Sequence, residues 1–144
     1  MYTALLTMTD VFKPQKRSEI MSHIRSKHTS PELAVRKTLN NLEFKFRLHV
    51  NNLPGKPDFA NKKEKTVIFV NGCFWHQHKN AKRNSTPKTN REYWLPKLAK
   101  NVAKQKSDFR ILRRNEWKVI VIWECETKDL EILERKIKKE LWQN

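Results

Sequence analysis

Two apolar runs, "TVIFV" at residues 66–70 and "VIVIW" at residues 119–123, constrain the fold of this chain more than any other feature. Strands that are buried on both faces of a sheet have continuous apolar sequences of this kind. A segment with helical character, residues 90–117, separates the two runs. Both runs are therefore predicted to be strands of a sheet that is covered by helices.

The remaining segments complete a mixed order of helices and strands. Residues 29–42 predict a helix with Ser30 as its N-cap and Pro31 at the first helical position. "FKFRLHV" alternates like a strand, and "KDLEILERKIKKELW" is typical of an amphipathic closing helix. Asn90 is a candidate cap for the long helix, and a short basic helix is predicted around Met21. The order predicts an α/β fold with a mixed central sheet flanked by helices.

The charge of the chain indicates its partner. Thirty-one Lys and Arg against fifteen Asp and Glu give a net charge of +16. Cations that meet phosphates release condensed counterions, so this excess favours a nucleic acid as the partner. A soluble basic protein or a ribosomal-type RNA binder is the alternative. With only two glycines, the sequence excludes a P-loop and a dinucleotide-binding fingerprint.

Length and hydropathy bound the organisation. The 144 residues fit one domain, residues 1–144, in which residues 1–9 are expected to be a flexible N-terminal extension. No apolar stretch has the length of a membrane span, and the N-terminus lacks the pattern of a signal peptide. We therefore expect an intracellular, cytoplasmic protein without a membrane partner.

Asp58 is the first candidate for chemistry. It follows Pro57 at the edge of a strand-like segment, and the next strand ends at Val70 and Asn71. Mg²⁺-dependent nucleases hold their cation with a carboxylate that faces a group on the next strand, although a turn aspartate would explain the same residue. The second strand has neither Glu-x-Lys nor Asp-x-Lys. The chain is therefore either not a nuclease or a divergent one.

His76 and Glu32 are candidates for the same site. An imidazole near a metal-bound phosphate can act as a general base for water, but His76 could equally be a partly buried histidine or a zinc ligand. Glu32 could contribute a metal contact from the first helix. A first-turn acid that complements the helix dipole is the simpler explanation of Glu32.

The stretch "GCFWHQH" combines the residue types of two other kinds of site. Cys73 and His78, with the distant Cys125, could bind zinc, although a closed structural site takes four ligands and buried free thiols are the alternative. Aromatic side chains in a basic sequence can also open a base step of DNA, whereas most aromatic residues simply pack in a core. The aromatic candidates are Phe74, Trp75 and Trp94.

Four motifs, "PGKPDF", "VIFVNGCFWHQH", "NREYWLPKLAKN" and "WKVIVIWEC", resemble in order and spacing the very short patch repair (Vsr) endonucleases, over residues 10–128. The resemblance implies a restriction-endonuclease-like core of the PD-(D/E)xK type. It also implies Mg²⁺-dependent nicking of double-stranded DNA beside a T:G mismatch left by deamination of 5-methylcytosine. A monomer associated with the nucleoid, with a possible mismatch-repair protein as partner, is expected.

The resemblance assigns expected roles by position. Asp58 corresponds to the metal-binding catalytic aspartate, His76 to the catalytic histidine and Glu32 to the helix acid that supports them. Val70 corresponds to the residue whose backbone carbonyl contacts Mg²⁺. The zinc ligands implied are Cys73, His78 and Cys125, the intercalating residues are Met21, Phe74, Trp75 and Trp94, and the residues that contact the mismatched pair are Lys97 and Asn101.

This chain departs from the family pattern at three places. The fourth zinc ligand, a cysteine, has no counterpart at Asn80 or Ala81. Asn71 replaces a histidine of the active site, and Gln105 stands where the family can carry an acid. These departures leave two alternatives open: a Vsr-like nuclease with a different, restriction-type DNA target, and a catalytically impaired relative that only binds DNA.

Overall fold

The two apolar runs form the parallel pair of a four-stranded mixed sheet. The computed structural model describes residues 29–78 and 87–142, so the expected extension 1–9 and the predicted helix around Met21 lie outside the described ranges. The elements are α1 (Ser30–Asn41), β1 (Arg47–Leu48), β2 (Phe59–Asn61), β3 (Thr66–Asn71), α2 (Arg91–Arg114), β4 (Lys118–Trp123), a 3₁₀ helix (Glu124–Thr127) and α3 (Leu130–Trp142).

The strand order in the sheet is β1-β2-β3-β4. β1 pairs antiparallel with β2, β2 pairs antiparallel with β3, and β3 pairs parallel with β4 along its whole length. The helix α2 makes the long connection that a parallel pair requires. The predicted mixed sheet with flanking helices is thereby confirmed. Among the described residues, no helix is long and apolar enough to cross a membrane.

Both faces of β3 are buried, and β4 is buried on one face and half-buried on the other, which explains their continuous apolar sequences. On one face, Ile68 and Ile120 pack with residues of α1 and α3 such as Leu39 and Ile137. On the other face, Val67 and Phe69 pack against α2 residues, including Leu112 and Phe109. Burial of each such side chain contributes about 1.5–3 kcal/mol. The sheet is therefore a firm base for the residues at the ends of its strands.

The start of α1 differs from the prediction. Thr29, rather than Ser30, is the N-cap, and its side chain accepts a hydrogen bond from the Glu32 backbone N–H at 3.4 Å. Ser30 is the first residue of the helix instead. The cap fixes Glu32 in the first turn, where the residue as a whole is buried with 5% relative exposure.

Two other predicted boundaries differ. The strand predicted over "FKFRLHV" contains only Arg47–Leu48, because Phe44 and Phe46 pack against the core from a loop. Asn90 precedes α2 with a φ of 50° but makes no capping hydrogen bond with its side chain. Pro96 lies in the second turn of α2, where its missing N–H costs the helix one hydrogen bond.

Candidate functional site

Asp58 lies immediately before β2, and its side chain reaches across to the end of β3. Its Oδ2 atom accepts a hydrogen bond from the Val70 backbone N–H at 2.7 Å. The antiparallel register of β2 and β3 makes this contact possible, because Phe59 is opposite Ile68. The structure thus brings together Asp58 and Val70, the two residues predicted to hold Mg²⁺.

Glu32 and His49 join Asp58 in one cluster. The carboxylate of Glu32 lies 2.8 Å from the His49 imidazole, Oε1 to Nε2. Ligand atoms of Glu32, His49 and Asp58 all lie within 4.8 Å of one another. We call these three residues the carboxylate–histidine cluster. Its mixture of oxygen and nitrogen donors fits a divalent cation.

His49 is the member of this cluster that sequence reasoning missed. Its backbone N–H donates to the carbonyl of Asp58 at 3.0 Å, so the antiparallel ladder of β1 and β2 places the two residues opposite each other. The available signal was the register: the turn "NNLPGKP" between "FRLH" and "DF" lets a hairpin set His49 beside Asp58. Without the strand register, nothing in the sequence indicates that the histidine after "FRL" belongs to a site.

Burial raises the pKa of the Asp58 carboxyl from 3.8 to about 7. The Val70 N–H opposes this shift, whereas the hydrogen bond and the negative charge of Glu32 reinforce it. Two carboxyl groups so close together, that of Glu32 buried and that of Asp58 half-buried, disfavour ionisation of both in the absence of a cation. A divalent cation removes this conflict, which is a second reason why the cluster fits a metal.

The raised pKa of Asp58 predicts that cation affinity depends on pH. Only the ionised carboxylate is a good ligand, so below a pH of about 7 a cation must displace the proton. Apparent Mn²⁺ affinity should fall about tenfold per pH unit below that value and level off above it. Titration with Mn²⁺ between about pH 5.5 and about pH 8 measures this slope. A constant affinity over that range would contradict the protonation of Asp58.

His76 lies in the turn after β3, outside the carboxylate–histidine cluster. Its backbone N–H donates to the Gly72 carbonyl at 3.2 Å. Burial lowers the pKa of its imidazole to about 4, and its Nδ1 atom is buried without a hydrogen-bond partner among the described residues. The imidazole is therefore neutral near pH 7 and has the protonation state of a general base.

The three predicted zinc ligands also lie together. The Nδ1 atom of His78 is 3.6 Å from the Cys73 sulfur and 3.5 Å from the Cys125 sulfur. A tetrahedral site with Zn–S bonds of ~2.3 Å and Zn–N bonds of ~2.0 Å has S···N edges of about 3.5 Å. The His78 ring stacks on Trp123 at a centroid distance of 4.1 Å, which fixes its orientation. The described residues therefore supply three of the four ligands that a closed structural zinc site takes.

The predicted intercalating rings form one cluster, in which Phe74, Trp75 and Trp94 contact each other edge to face with centroids 5.3–5.8 Å apart. Phe74 and Trp94 are buried, with 7% and 2% exposure, and Trp75 is half-buried. Lys97 lies 5.7 Å from the centre of the Trp75 ring, and Asn101 follows one turn later on α2. Met21 lies outside the described ranges.

Asn71 and Gln105 form a reciprocal pair of amides. The Asn71 Nδ2 atom donates to Gln105 Oε1 at 2.7 Å, and the Gln105 Nε2 atom donates to Asn71 Oδ1 at 2.9 Å. Asn71 is 2% exposed. The two residues that depart from the family pattern are thus hydrogen-bonded to each other, and their contact joins the end of β3 to the middle of α2.

Removal of one amide should destabilise the fold. In Gln105→Ala, the buried polar atoms of Asn71 lose both hydrogen bonds, so the free energy of unfolding should fall by about 1–3 kcal/mol. Urea denaturation measures this change, with Lys106→Ala on the exposed side of α2 as the matched control. Because the partners share one contact, Asn71→Ala/Gln105→Ala should cost less than the sum of the single changes. Strict additivity would contradict the pairing.

Known proteins resemble this chain over most of its length. The family model described as DNA mismatch endonuclease Vsr matches residues 9–82. The chain is 40% identical over 131 residues to the type II nicking enzyme V.XorIIP of Xanthomonas oryzae pv. oryzae, an alignment that covers 91% of this chain and 96% of the relative.

Two further relatives give the same result. Identity is 40% over 132 residues with the type II nicking enzyme V.NmeAIP of Neisseria meningitidis serogroup A, covering 92% of this chain and 94% of the relative. Identity is 36% over 118 residues with the DNA mismatch endonuclease Vsr of Escherichia coli K12, an alignment that covers 82% of this chain and 75% of the relative. This chain therefore belongs to the Vsr family of DNA mismatch endonucleases and is a DNA endonuclease.

Proposed function

We propose that this endonuclease uses Mg²⁺ to nick one strand of double-stranded DNA at T:G mismatches, in very short patch repair of deaminated 5-methylcytosine. The observation that carries the proposal is the half-buried carboxylate of Asp58, which the Val70 N–H holds at 2.7 Å beside Glu32. The proposed unit is a single domain over residues 1–144 that acts as a monomer, in the cytoplasm and at the nucleoid. A mismatch-repair protein is a proposed partner.

The proposed core is a divergent form of the PD-(D/E)xK type. In that type, the strand that follows the first aspartate carries an acid and a lysine. Here the corresponding strand, β3, ends in Phe69, Val70 and Asn71 instead. Asp58 and the backbone carbonyl of Val70 would hold the Mg²⁺ instead, with Glu32 contributing a further metal contact from α1. A bound Mg²⁺ would supply the Lewis acidity that activates the scissile phosphate and the attacking water.

His76 would accept the proton of the attacking water. Burial keeps its imidazole neutral, with a pKa of about 4, so the base is available throughout the physiological pH range. The aromatic cluster on the same turn connects the chemistry to recognition. Trp75, the most accessible of its three rings, would lead the insertion into the duplex, and Phe74 and Trp94 would follow as the rings separate.

A mismatched step is the favourable place for such insertion. Unstacking costs a few kcal/mol per step, and the cost is least where pairing is already imperfect. Lys97, beside the Trp75 ring, and Asn101 would contact the bases of the mismatched pair from α2. The net charge of +16 would hold the DNA backbone through counterion release, so binding should weaken steeply with salt.

We also propose that Cys73, His78 and Cys125 bind a structural zinc ion that anchors the turn to the 3₁₀ helix. The S···N separations of 3.5 and 3.6 Å support this assignment. Metal analysis of the purified protein should find about one zinc per chain, and Cys125→Ser should lose it. Buried free thiols, the alternative, predict no zinc in either protein.

A second candidate function has support from the relatives. Both relatives at 40% identity are named type II nicking enzymes, whereas the Escherichia coli relative is named a mismatch endonuclease. The target could therefore be a site of a restriction system rather than a repair mismatch in any context.

Nicking of a panel of duplexes tests both candidates. T:G and fully paired duplexes should be compared in several flanking sequences, with Mg²⁺ present. The proposed function predicts nicks beside T:G in the panel and intact paired duplexes. Cleavage of paired duplexes in one sequence context would favour the restriction-type target, and binding without nicks in any duplex would indicate an impaired relative.

A further inference from the structure

We infer that His49 is a nitrogen ligand of the cation held by Asp58 and Glu32, so that the site favours Mn²⁺ and related first-row ions over Mg²⁺. The inference deepens the proposed function and rests on it only for the place of the cation. It concerns which atoms bind the ion, and it holds whichever DNA the enzyme cuts.

The backbone places His49 for this role. Its N–H donates to the Asp58 carbonyl at 3.0 Å, one residue beyond the last β1–β2 pair, Leu48 and Phe59. The chain then takes a left-handed conformation at His49, with a φ of 48°. Such a φ is uncommon for residues other than glycine, and it comes directly after the end of β1, at the residue whose imidazole faces Glu32. The side chain of His49 is 15% exposed and that of Glu32 is 6% exposed.

The distances fit shared coordination. Adjacent ligands of an octahedral ion with bonds of 2.0–2.1 Å are about 3 Å apart, and opposite ligands are about 4 Å apart. The His49 Nε2 and Glu32 Oε1 atoms are 2.8 Å apart, and the Asp58 carboxylate completes a set in which no two atoms exceed 4.8 Å. A cation can therefore replace the proton between His49 and Glu32 with small adjustments of the side chains. The imidazole then carries its proton on Nδ1.

The donor types determine which ion is favoured. Carboxylates suit Mg²⁺ and Mn²⁺ alike, whereas an imidazole favours first-row transition ions and adds little for Mg²⁺. A site with Asp58, Glu32 and His49 should therefore discriminate against Mg²⁺ more strongly than a site of oxygen ligands alone. Mn²⁺ is the suitable probe because it accepts both donor types and is paramagnetic.

A purely positioning role for His49 predicts something different. The imidazole could donate its Nε2–H to Glu32 and never touch the cation. In that case His49→Gln, whose amide N–H can also donate, should preserve Mn²⁺ affinity, and no nitrogen should be coupled to the bound ion. The two roles therefore separate in one variant.

Electron paramagnetic resonance of Mn²⁺ on the full chain, without DNA, tests the inference. The wild type should show bound Mn²⁺ with a directly coupled nitrogen in the spin-echo modulation. His49→Gln and His49→Ala should lose that coupling and bind Mn²⁺ at least about tenfold more weakly, with a smaller change for Mg²⁺ measured by competition. Asn52→Ala, an exposed change in the same loop, should behave like the wild type.

Three results would overturn the inference. They are no Mn²⁺ binding by the wild type, no coupled nitrogen on the bound ion, and a coupling that persists in His49→Gln. Circular dichroism of each variant separates loss of a ligand from loss of the fold. Nicking of T:G duplexes is measured separately, so failure of the mismatch proposal would leave a nitrogen coupling in place, and failure of the inference would leave nicking in place.

Discussion

Asp58→Asn should lower the nicking rate on T:G duplexes by ~10³-fold or more, with DNA binding retained. The amide has nearly the shape of the carboxylate, but it lacks the negative charge that holds a divalent cation. Its oxygen can still accept the Val70 N–H that now bonds Asp58 at 2.7 Å. Single-turnover nicking and a salt titration of DNA binding measure the two effects independently.

The control for Asp58 is a second acid of the chain. Asp108 lies on α2 in an ion pair with Lys104 at 2.9 Å and has no place in the cluster. Asp108→Asn should therefore nick at close to the wild-type rate. Equal nicking by Asp58→Asn and the wild type would show that the carboxylate does not serve the chemistry.

His76→Ala should lower the nicking rate by about 10²–10⁴-fold, the usual contribution of a general base. The pH profile adds a sharper test. The pKa of His76 is lowered to about 4, and that of Asp58 is raised to about 7. As the pH is lowered, the wild-type rate should therefore fall when Asp58 becomes protonated, well before His76 does.

With saturating DNA and subsaturating metal, the residual nicking rate of His76→Ala should show the same fall at low pH as the wild-type rate. We call this fall the acid limb of the pH profile. An excess of Mg²⁺ should move that limb to lower pH, since the cation displaces the proton of Asp58. An acid limb that disappears with His76 would contradict the assignment of the limb to Asp58. Trp75→Ala removes a neighbouring ring but keeps His76, the proposed general base. This variant therefore separates the effect of duplex opening on the nicking rate from the effect of proton transfer.

The sequence predicted the centre of the sheet well and its edge less well. β3 is buried on both faces and β4 is buried on one face and half-buried on the other, as their apolar runs predict for central strands. The edge strand β1 was predicted too long, because Phe44 and Phe46 alternate as strand residues do but reach the core from a loop. Ser30 and Thr29 are both good caps, and only the backbone shows that Thr29 has the extended conformation.

For the candidate site, the residues that lie near recognisable motifs could be predicted from sequence. Asp58 and Val70 could be paired because each ends or begins a predicted strand. His49 could not, since its place depends on the register of a two-residue strand and on a positive φ. Likewise, Asn71 and Gln105 were each noticed as departures, but their contact across 34 positions of sequence depends on how α2 packs on the sheet.

The buried state of Phe74 and Trp94 adds a physical condition to DNA recognition. These two rings have 7% and 2% exposure, so insertion into DNA requires the aromatic cluster to open. Edge-to-face pairs contribute about 0.5–1.5 kcal/mol each, a cost that protein–DNA contacts at a weakened base step can offset. Recognition of a mismatch would then be coupled to a rearrangement of the turn that also carries His76.

The most direct test of the central claim is the ratio of single-turnover nicking rates on a T:G duplex and on the same duplex with T:A. Both rates are measured with saturating wild-type enzyme and Mg²⁺, so the ratio reports the reaction and not the affinity. The proposed mechanism predicts a ratio of at least about 10², from a few kcal/mol of base-step opening. A ratio near one, with nicking that still requires Asp58, would show a DNA endonuclease that does not act on mismatches.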